Sequence, residues 1–413
     1  MTSNASEGRE PKRPHAEKAE ERGPIWVIKV GSSLVTAGGC GVDRARLADW
    51  GRQLRVLIDA GVRCVWVTSG SIAEGMRRLG WAAKPKRIDL LQAAAAVGQM
   101  GLMQAYGEEF MKAGVRAAQL LLTHEDVSHR RRYLNAQATI KALLDLGVVP
   151  VVNENDTIAT AEIKLGDNDT LGALIANLVG AERLIIMTDQ VGLYDKDPRA
   201  YDDARLISEI SADRPDLEAM AGGAGTGIGT GGMLTKVRAA KRAAESGCDT
   251  RVMHGKTPDG LARVLNGESL GTLFTHPDSA QRAKARERWL LSQLRFKGKL
   301  DVDAGCERAL LQTGASLLPI GCVGVEGDFL RGDLVQIVNE SGTEIARGIA
   351  NYGASEAKRL IKTPSSEIEL VLGYALEDEL VHRDRMAISA PREASGAGDP
   401  GAGDSAPGGE PEC

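Results

Sequence analysis

Several features that would assign this chain to a specialised class are missing from its sequence. No apolar run approaches the roughly 18 residues that a membrane-spanning helix needs. The charged N-terminus also lacks the apolar stretch of a signal peptide. The six cysteines are scattered without Cys-x-x-Cys spacing, which argues against a zinc site or a disulfide framework and is typical of a reducing compartment. We therefore expect a cytoplasmic protein with no membrane partner.

Two kinds of functional signature are missing as well. The formal net charge is −5, which gives no electrostatic reason to expect a nucleic-acid partner. No Walker A loop is present, because the Gly-Lys-Thr at 255–257 has Thr250 where the first glycine should be. The six histidines form no recognisable base cluster and no Ser-His-Asp arrangement. The chemistry of the chain must therefore come from other residue types.

The composition that is present is that of a globular protein, with 43% hydrophobic and 26% charged residues. A chain of 413 residues exceeds one ordinary core, so we predict two domains. Residues 1–23 contain no Val, Ile, Leu or aromatic side chain and are predicted to be a disordered leader. The stretch from about Ala390 is rich in Gly, Ala, Pro and acidic residues, and we predict a disordered tail over 386–413.

Between residues 24 and 276 the apolar pattern alternates between strands and helices, beginning with a strand at Ile25–Val30 and a helix capped by Asp43. This alternation predicts an α/β domain with an open, mostly parallel sheet that is covered by helices on both faces. The further predicted strands are Cys64–Thr68, Ala117–Leu121, Val148–Val152, Leu184–Met187 and Thr250–Met253. The further predicted helices begin near Asp89 or span Ala136–Leu146, Thr170–Val179 and Arg238–Ser246.

The pattern changes in the last third of the chain. Residues 277–294 are predicted to form a charged helical linker. From 295 to 385, short alternating segments separated by glycine-containing turns predict a small β-rich barrel. This region carries 11 Lys and Arg against 15 Asp and Glu, which is the wrong sign for contacts with nucleic-acid phosphates. RNA binding is therefore not expected.

Two lysines occupy positions that suit an anionic ligand. Lys29 lies within an apolar strand just before a Gly-Ser-Ser turn, and a lysine buried there needs an anion. The alternative is a lysine on an edge strand whose amine reaches water. Lys236 follows the glycine-rich stretch 226–235, in which backbone N–H groups can approach a phosphate. A flexible surface loop is the alternative interpretation there.

Other polar residues follow the predicted strands. Thr188 and Asp189 come directly after one strand and suit contacts with a nucleotide, although Asp189 can equally cap a turn. The Ser-Gly-Ser at 69–71 follows another strand and could present N–H groups and a hydroxyl to a substrate carboxylate. Open α/β sheets place their ligands at these strand ends.

The stretch Asn153–Asp169 gathers carboxylates and carboxamides between a buried strand and a helix. Such a group can chelate a cation, bind a ligand ammonium, or form a solvated loop. The two lysines and the glycine-rich turns at other strand ends favour a phosphoryl-transfer site. A substrate carboxylate is already an anionic nucleophile, so the absence of a base cluster is compatible with this reaction.

These residues resemble the amino acid kinase family, and within it the members that phosphorylate the γ-carboxylate of L-glutamate. The matching blocks are Val27–Ser33, Val67–Ala73, Asn153–Asp156, Lys164–Asp169, Thr188–Tyr194 and Gly229–Lys236. They occur in family order over residues 24–276. The region 295–385, with Gly314–Pro319 and Phe329–Asp333, resembles the PUA domain found in many of these kinases.

The resemblance implies that ATP, with Mg²⁺, phosphorylates L-glutamate to L-glutamyl 5-phosphate, the first step of proline biosynthesis. It implies catalytic roles for Lys29 and Lys236, which would offset phosphate charge, and for Asp169, which would hold the lysines in place. The residues implied in glutamate binding are Ser69, Asn153, Asp156, Asp167 and Asn168. Those implied in ATP binding are Lys29, Thr188, Asp189, Thr230, Gly231, Gly232, Met233, Leu234, Thr235 and Lys236. No residue is implied as a metal ligand.

The resemblance also carries expectations about partners. It implies a homo-oligomer, feedback inhibition by proline and cooperation with the downstream glutamyl phosphate reductase. One departure from the family pattern is Leu234, where Ser or Thr is usual. We expect this loss of a hydroxyl to have a modest effect on nucleotide binding. An aspartate or acetylglutamate kinase of the same fold is the alternative in substrate, and an RNA-binding protein is the alternative in function class.

Overall fold

The computed structural model describes residues 23–36, 41–159, 168–221, 232–276 and 296–389. The chain divides into two compact units, of which the first contains the described residues up to 276 and the second those from 296 onwards. Every helix within these ranges is too short or too polar to cross a lipid bilayer. The predicted leader, the predicted linker 277–294 and most of the predicted tail lie outside the described residues.

The N-terminal unit alternates strands and helices, as the sequence predicts. Its strands are β1 (Ile25–Val30), β2 (Arg63–Val67), β3 (Arg116–Leu122), β4 (Val148–Glu154), β5 (Arg183–Thr188), β6 (Glu209–Ser211), β7 (Asp249–His254) and β8 (Thr272–Thr275). Its described helices are α1 (Ser32–Val35), α2 (Arg44–Asp59), α3 (Ser71–Arg78), α4 (Ile88–Lys112), α5 (His124–Ser128), α6 (Arg130–Asp145), α7 (Asn168–Val179), α8 (Leu217–Ala221), α9 (Met233–Ala244) and α10 (Gly260–Leu265).

The eight strands form one sheet in the order β3-β4-β2-β1-β5-β7-β8-β6. Strand β1 pairs in parallel with β2 on one side and with β5 on the other, so Lys29 lies opposite Val67 and Ile186. The β7–β8 pair is antiparallel, and the other pairings in this sheet are parallel. Because β1, β2, β4 and β5 run in the same direction, the polar residues that follow them meet at one edge of the sheet.

Both faces of this sheet are buried, which confirms the predicted layered architecture. One face packs Val27, Val152 and Ile186 against α7 and α9. The opposite face packs Ile28 and Trp66 against α2 and α4, with Trp50, Tyr106 and Phe110 in edge-on or tilted contact around Trp66. The alternation of side chains along β1 turns Lys29 to the same face as Val27, towards α7 and α9.

The predicted elements of the N-terminal unit are present in the structure, with shifted beginnings for two helices. Strands β6 and β8 and helices α1, α3, α5, α8 and α10 were not predicted from the sequence. The Asp43 side chain accepts a hydrogen bond from the Arg46 backbone, as expected of an N-cap. Helix α6 begins at Arg130, six residues before the predicted start, because its arginine-rich first turn has no apolar periodicity to reveal it. Helix α9 begins at Met233, which brings Lys236 into its first turn.

The C-terminal unit is a smaller, β-rich body with its own core. Its strands are β9 (Gly298–Val302), β10 (Cys322–Gly327), β11 (Leu334–Val338), β12 (Glu344–Ile349) and β13 (Met386–Ile388). Its helices are α11 (Ala304–Thr313), α12 (Ala354–Arg359) and α13 (Ile368–Leu372), with short 3₁₀ turns at Pro319–Gly321, Ser365–Glu367 and Arg383–Arg385. The sheet order is β10-β9-β11-β12-β13, and the β9–β11 pair is parallel.

The structure corrects the predicted end of this unit. Residues 386–388 belong to β13, which pairs in antiparallel register with β12. The sequence analysis assigned them to the tail that begins at 386. Ala387 is buried in this pairing. The difference arises because a strand of three residues is too short to show a period-2 pattern.

Candidate active site

The candidate site lies at the edge of the large sheet where β1, β2, β4 and β5 end. Lys29 is the penultimate residue of β1, and Asp169 is the second residue of α7. Lys236 is in the first turn of α9, which packs beside α7. Residues that are 140 and 67 positions apart in sequence therefore become direct neighbours.

Lys29, Asp169 and Lys236 form a buried ionic group that we name the charged cluster. The Lys29 Nζ lies 2.6 Å from Asp169 Oδ1, and the Lys236 Nζ lies 3.0 Å from Asp169 Oδ2. Only 6%, 2% and 3% of the surfaces of Lys29, Asp169 and Lys236 are exposed. The formal charge of the three groups is +1, and burying such a charge is costly unless an anion is present. The charged cluster thus fits an anionic ligand.

The electrostatics of Asp169 agree with its position between two ammonium groups. Burial by itself would raise the pKa of the Asp169 carboxyl. The charges of Lys29 and Lys236 and their hydrogen bonds outweigh burial and lower this pKa to about 2. The first turn of α7 also favours a negative charge through the helix dipole. Asp169 is therefore ionised at neutral pH and acts as the common anchor of both lysines.

The first turn of α9 adds a hydroxyl to the charged cluster. Thr235 Oγ1 lies 2.8 Å from Asp169 Oδ2 and also 2.8 Å from the Gly232 carbonyl oxygen. Gly232 precedes α9 as its N-cap without a side-chain cap, and Met233 and Leu234 are the first two helical residues. The predicted loop residues Thr230 and Gly231 lie outside the described residues.

A second polar group, which we name the amide chain, consists of Gln99, Asn153 and Asn168. Asn168 Nδ2 donates to the Thr68 carbonyl oxygen at 2.7 Å and to Asn153 Oδ1 at 3.0 Å. Asn153 Nδ2 donates in turn to Gln99 Oε1 at 2.8 Å. Asn153 is only 1% exposed. The amide chain ties the ends of β2 and β4 and the start of α7 to the middle of α4.

Two serines follow β2, and they have different partners. The Ser69 hydroxyl donates to the Val30 carbonyl oxygen at 3.0 Å, which joins the ends of β1 and β2. The Ser71 hydroxyl donates to Asp156 Oδ2 at 2.8 Å. Asp156 is half-buried in the turn that follows β4. The structure thus joins Asp156 to Ser71, which was not among the predicted site residues, and the predicted residue Asp167 lies outside the described ranges.

Thr188 and Asp189 lie at the end of β5, as the sequence predicts. The Thr188 hydroxyl is buried and donates to Asp189 Oδ1 at 3.1 Å. The Thr188 carbonyl oxygen accepts from the backbone N–H of Gly255 at 2.8 Å. Asp189 is exposed. Both residues are on the α9 side of Lys29, because β5 is the neighbour of β1 opposite β2.

Gln99 was not predicted from the sequence. It is one of three glutamines in an apolar, Ala-rich helix, with Gln92 and Gln104, and its docking against β4 depends on tertiary packing. A second unpredicted feature is the buried Glu154, whose carboxylate has no hydrogen bond within the described ranges and lies 3.4 Å from His124 Nδ1. No three His, Cys, Asp or Glu residues of the described chain are grouped so that they could hold a metal ion alone.

Comparison with known proteins identifies this arrangement. Residues 24–254 match the model of the amino acid kinase family, and residues 298–372 match that of the PUA domain. The chain belongs to the amino acid kinase family. This amino acid kinase is therefore a phosphotransferase that uses ATP. The charged cluster fits that cofactor, because two buried ammonium groups share one carboxylate where phosphate oxygens would lie.

Curated relatives match most of the length of this amino acid kinase. A glutamate 5-kinase of Ralstonia nicotianae is 54% identical over 362 residues, which is 88% of this chain and 96% of the relative. Glutamate 5-kinases of Methylobacillus flagellatus and Burkholderia thailandensis are also 54% identical, with coverage of 88% of this chain and 97% of each relative. This resemblance includes both units of the chain.

Proposed function

We propose that this chain is a glutamate 5-kinase, which transfers the γ-phosphoryl group of ATP to the γ-carboxylate of L-glutamate and forms L-glutamyl 5-phosphate. The observation that carries the proposal is the charged cluster, which lies at the same sheet edge as Asn153 and Asp156. The names of the relatives, at 54% identity, support glutamate as the acceptor.

The chemistry of the reaction accounts for this geometry. A carboxylate that attacks ATP meets a polyanion, and the transition state spreads negative charge over the transferring phosphoryl oxygens. Lys29 and Lys236 offset that charge, and Asp169 keeps both amines in place before the reaction starts. Their burial strengthens these interactions, because little water screens them. The carboxylate nucleophile needs no general base, so no histidine is required.

The two sides of β1 divide the substrates in this proposal. On the α9 side, Thr188, Asp189 and the residues from Gly232 to Lys236 bind ATP, together with Thr230 and Gly231. On the β4 side, Ser69, Asn153, Asp156 and Asn168 bind glutamate, together with Asp167. The Asp156 carboxylate faces the substrate α-ammonium. Lys29 lies between the two groups because β1 separates β5 from β2.

Mg²⁺ belongs to the proposal as the partner of ATP. When bound, it neutralises charge on the β- and γ-phosphate oxygens. It usually keeps several waters and takes ligands from substrate phosphates. Removal of Mg²⁺ with excess EDTA should therefore abolish turnover without unfolding the protein, and a circular dichroism melt provides the control. Full activity in EDTA would refute this part.

The wider context follows from the same proposal. The enzyme would act in the cytoplasm as a homo-oligomer, at the first step of proline biosynthesis. Proline would inhibit it, and glutamyl phosphate reductase would consume its product. The acidic balance of residues 295–385 supports a role of the C-terminal unit other than RNA binding.

The decisive experiment traps the acyl phosphate with hydroxylamine. The purified chain with ATP and Mg²⁺ should form hydroxamate from L-glutamate, and far less from aspartate or N-acetylglutamate. Addition of proline to the glutamate reaction should reduce the signal. Equal hydroxamate yields from the three acceptors would contradict the substrate assignment and favour another acyl-phosphate-forming kinase of this family. No hydroxamate from any acceptor would contradict the proposed reaction.

A further inference from the structure

A cavity of about 340 Å³ opens beside Asp156. Its walls come from the start of α3, the middle of α4, strand β3 and the end of β4. The lining residues that matter here are Ser71, Gln99, Gln119 and Asp156. The cavity thus adjoins the part of the site that we assign to the amino-acid substrate. Two buried residues of its lining have polar side-chain atoms without a hydrogen-bond partner among the described residues: Glu154, whose carboxylate lies 3.4 Å from His124 Nδ1, and Gln99, which offers a donor.

Gln99 is 8% exposed. Its Oε1 accepts from Asn153, but its Nε2 has no hydrogen-bond partner within the part of the chain that the structure describes. A buried N–H₂ group without a partner costs on the order of 1–3 kcal/mol. A ligand that supplies an acceptor would remove this cost, so the geometry favours an acceptor in the cavity.

The polarity of this free group is fixed by the amide chain. The Thr68 carbonyl can only accept, so Asn168 must present its N–H₂ group there. The same N–H₂ group donates to Asn153 Oδ1, and Asn153 must then present its own N–H₂ to Gln99. Gln99 therefore turns its oxygen towards Asn153 and its N–H₂ group away from it. The unused end is a donor and suits a carboxylate.

A second feature favours negative charge at the same place. Helix α3 begins at Ser71, and its N-cap Gly70 supplies no side-chain cap. A Cβ on Gly98 would lie 1.9 Å from the Ser71 carbonyl oxygen, so only glycine allows α4 to come this close to α3. This contact brings the next residue, Gln99, to the first turn of α3. The partial positive charge of the helix N-terminus and the Gln99 donor then serve the same anion.

We propose that Gln99 binds the α-carboxylate of the amino-acid substrate through Nε2 and so distinguishes α-amino acids from simple carboxylic acids. Asp156 on the same cavity wall supplies the opposite charge for the α-ammonium. The inference rests on the proposed glutamate kinase function. It assigns a specificity role to a residue outside every motif found in the sequence.

The test compares glutamate with 4-aminobutyrate, which keeps the amine and the reacting carboxylate but lacks the α-carboxylate. The variant Gln99→Glu keeps an oxygen for Asn153 and replaces the N–H₂ donor by a second oxygen. The ratio of kcat/KM for glutamate to that for 4-aminobutyrate should fall by about 10- to 100-fold, mainly through KM for glutamate. If 4-aminobutyrate is not phosphorylated, its inhibition constant against glutamate takes the place of kcat/KM in the ratio.

Two further variants separate the donor from the added charge. Gln119→Glu introduces the same change on the exposed β3 wall of the cavity, and we expect it to leave the ratio unchanged. Gln99→Met removes the donor without adding charge and should also lower the ratio. It takes the place of Gln99→Glu in the test if that variant does not fold.

Two failures are distinguishable. An equal loss for both substrates in the Gln99 variants would reduce Gln99 to a support for Asn153 and overturn the inference. An inactive wild-type enzyme would instead refute the proposed function.

Discussion

The charged cluster and the amide chain lie at the same sheet edge but differ in composition. The charged cluster contains two ammonium groups and one carboxylate, and its polar atoms are tied together by ion pairs. The amide chain contains only neutral side chains. Its hydrogen bonds, which start at the Thr68 carbonyl and end at Gln99, fix which end of each carboxamide donates and which accepts. Both are largely buried, but the charged cluster carries net charge, whereas the amide chain carries none and fixes the orientations of its carboxamides.

The difference teaches how the site divides its work. A charged side chain accelerates the reaction most where charge develops, because its interaction with the transition state is then stronger than its interaction with the bound substrates. Neutral amides bind one arrangement of donors and acceptors and reject others, so they serve recognition. We therefore expect substitutions in the charged cluster to change kcat and stability, and substitutions around the amide chain to change KM.

The largest effect should follow from Lys236→Ala. We expect kcat to fall by about 10²- to 10³-fold with a much smaller change in KM for glutamate, because the amine matters most in the transition state. Steady-state kinetics with both substrates measure this. Lys241→Ala, which removes a lysine from the same helix that pairs with Glu218, is the matched control. An unchanged kcat with a raised KM for glutamate would reverse the comparison.

Asp169→Asn should have the next largest effect, on stability. It leaves Lys29 and Lys236 buried without a counter-charge, so we expect the free energy of unfolding in urea to fall by about 3 kcal/mol. Asp59→Asn, which alters an exposed carboxylate on α2, provides the control and should change stability little. If Asp169→Asn were as stable as the wild type at neutral pH, the loss of the counter-charge to Lys29 and Lys236 would carry no cost, and this prediction would be wrong.

The same carboxylate predicts a pH dependence. The folded pKa of Asp169, about 2, lies below its ordinary value of 3.8, so the stabilisation is complete above that ordinary value and disappears as the pH falls through 2. The expected loss is about 2 kcal/mol. Urea unfolding of the wild type and of Asp169→Asn between pH 5 and pH 2 should therefore show a smaller stability difference at the acid end. A difference that stays constant with pH would contradict the ionised state of Asp169.

Asp156→Ala should act on recognition. Loss of the carboxylate next to Ser71 should raise KM for glutamate by about 10-fold or more, with kcat changed much less. Kinetics at saturating ATP with varied glutamate measure this. A fall in kcat at unchanged KM would mean that Asp156 acts like the charged cluster, on the reaction step, and would contradict a role in substrate recognition.

The smallest effect should follow from Thr235→Val, which removes the hydroxyl that contacts Asp169 and Gly232. A neutral hydrogen bond contributes about 1 kcal/mol, so we expect up to a 5-fold rise in KM for ATP. Thr235→Ser, which keeps the hydroxyl, should behave like the wild type. A loss as large as that of Lys236→Ala would show that the hydroxyl does more than support the carboxylate.

The two polar groups also differ in how far the sequence reveals them. Lys29 stands out because a lysine that is buried in an apolar strand is costly without an anion beside it. Lys236 stands out because it follows a glycine-rich stretch whose backbone N–H groups can approach a phosphate. Strands such as Ile25–Val30 are equally easy to predict, because a short apolar run between turns usually forms a buried strand in a chain that alternates strands and helices. The sequence pattern therefore indicated both lysines as candidates for an anionic ligand, and the family resemblance implied that Asp169 holds them in place.

The contacts within the amide chain were not predicted, because they depend on packing between distant elements, although the family resemblance implied roles for Asn153 and Asn168. Gln99 and Asn153 are 54 residues apart and meet through the packing of α4 beside the end of β4. Likewise, the contact between Ser71 and Asp156 joins residues 85 positions apart. Local sequence patterns do not predict contacts between residues that are this far apart in the chain.

The separations within the charged cluster have a consequence for the order of assembly on the ribosome. Lys29 and Asp169 are both synthesised before Lys236, which follows Asp169 by 67 residues. Because synthesis starts at the N-terminus, β1 and α7 emerge from the ribosome while the last cation is still missing, although the domain that contains all three residues folds as a unit. A nascent chain at that stage holds a neutral pair with no surplus positive charge for phosphate. The arrival of α9 therefore supplies the surplus positive charge that the proposed ATP site requires.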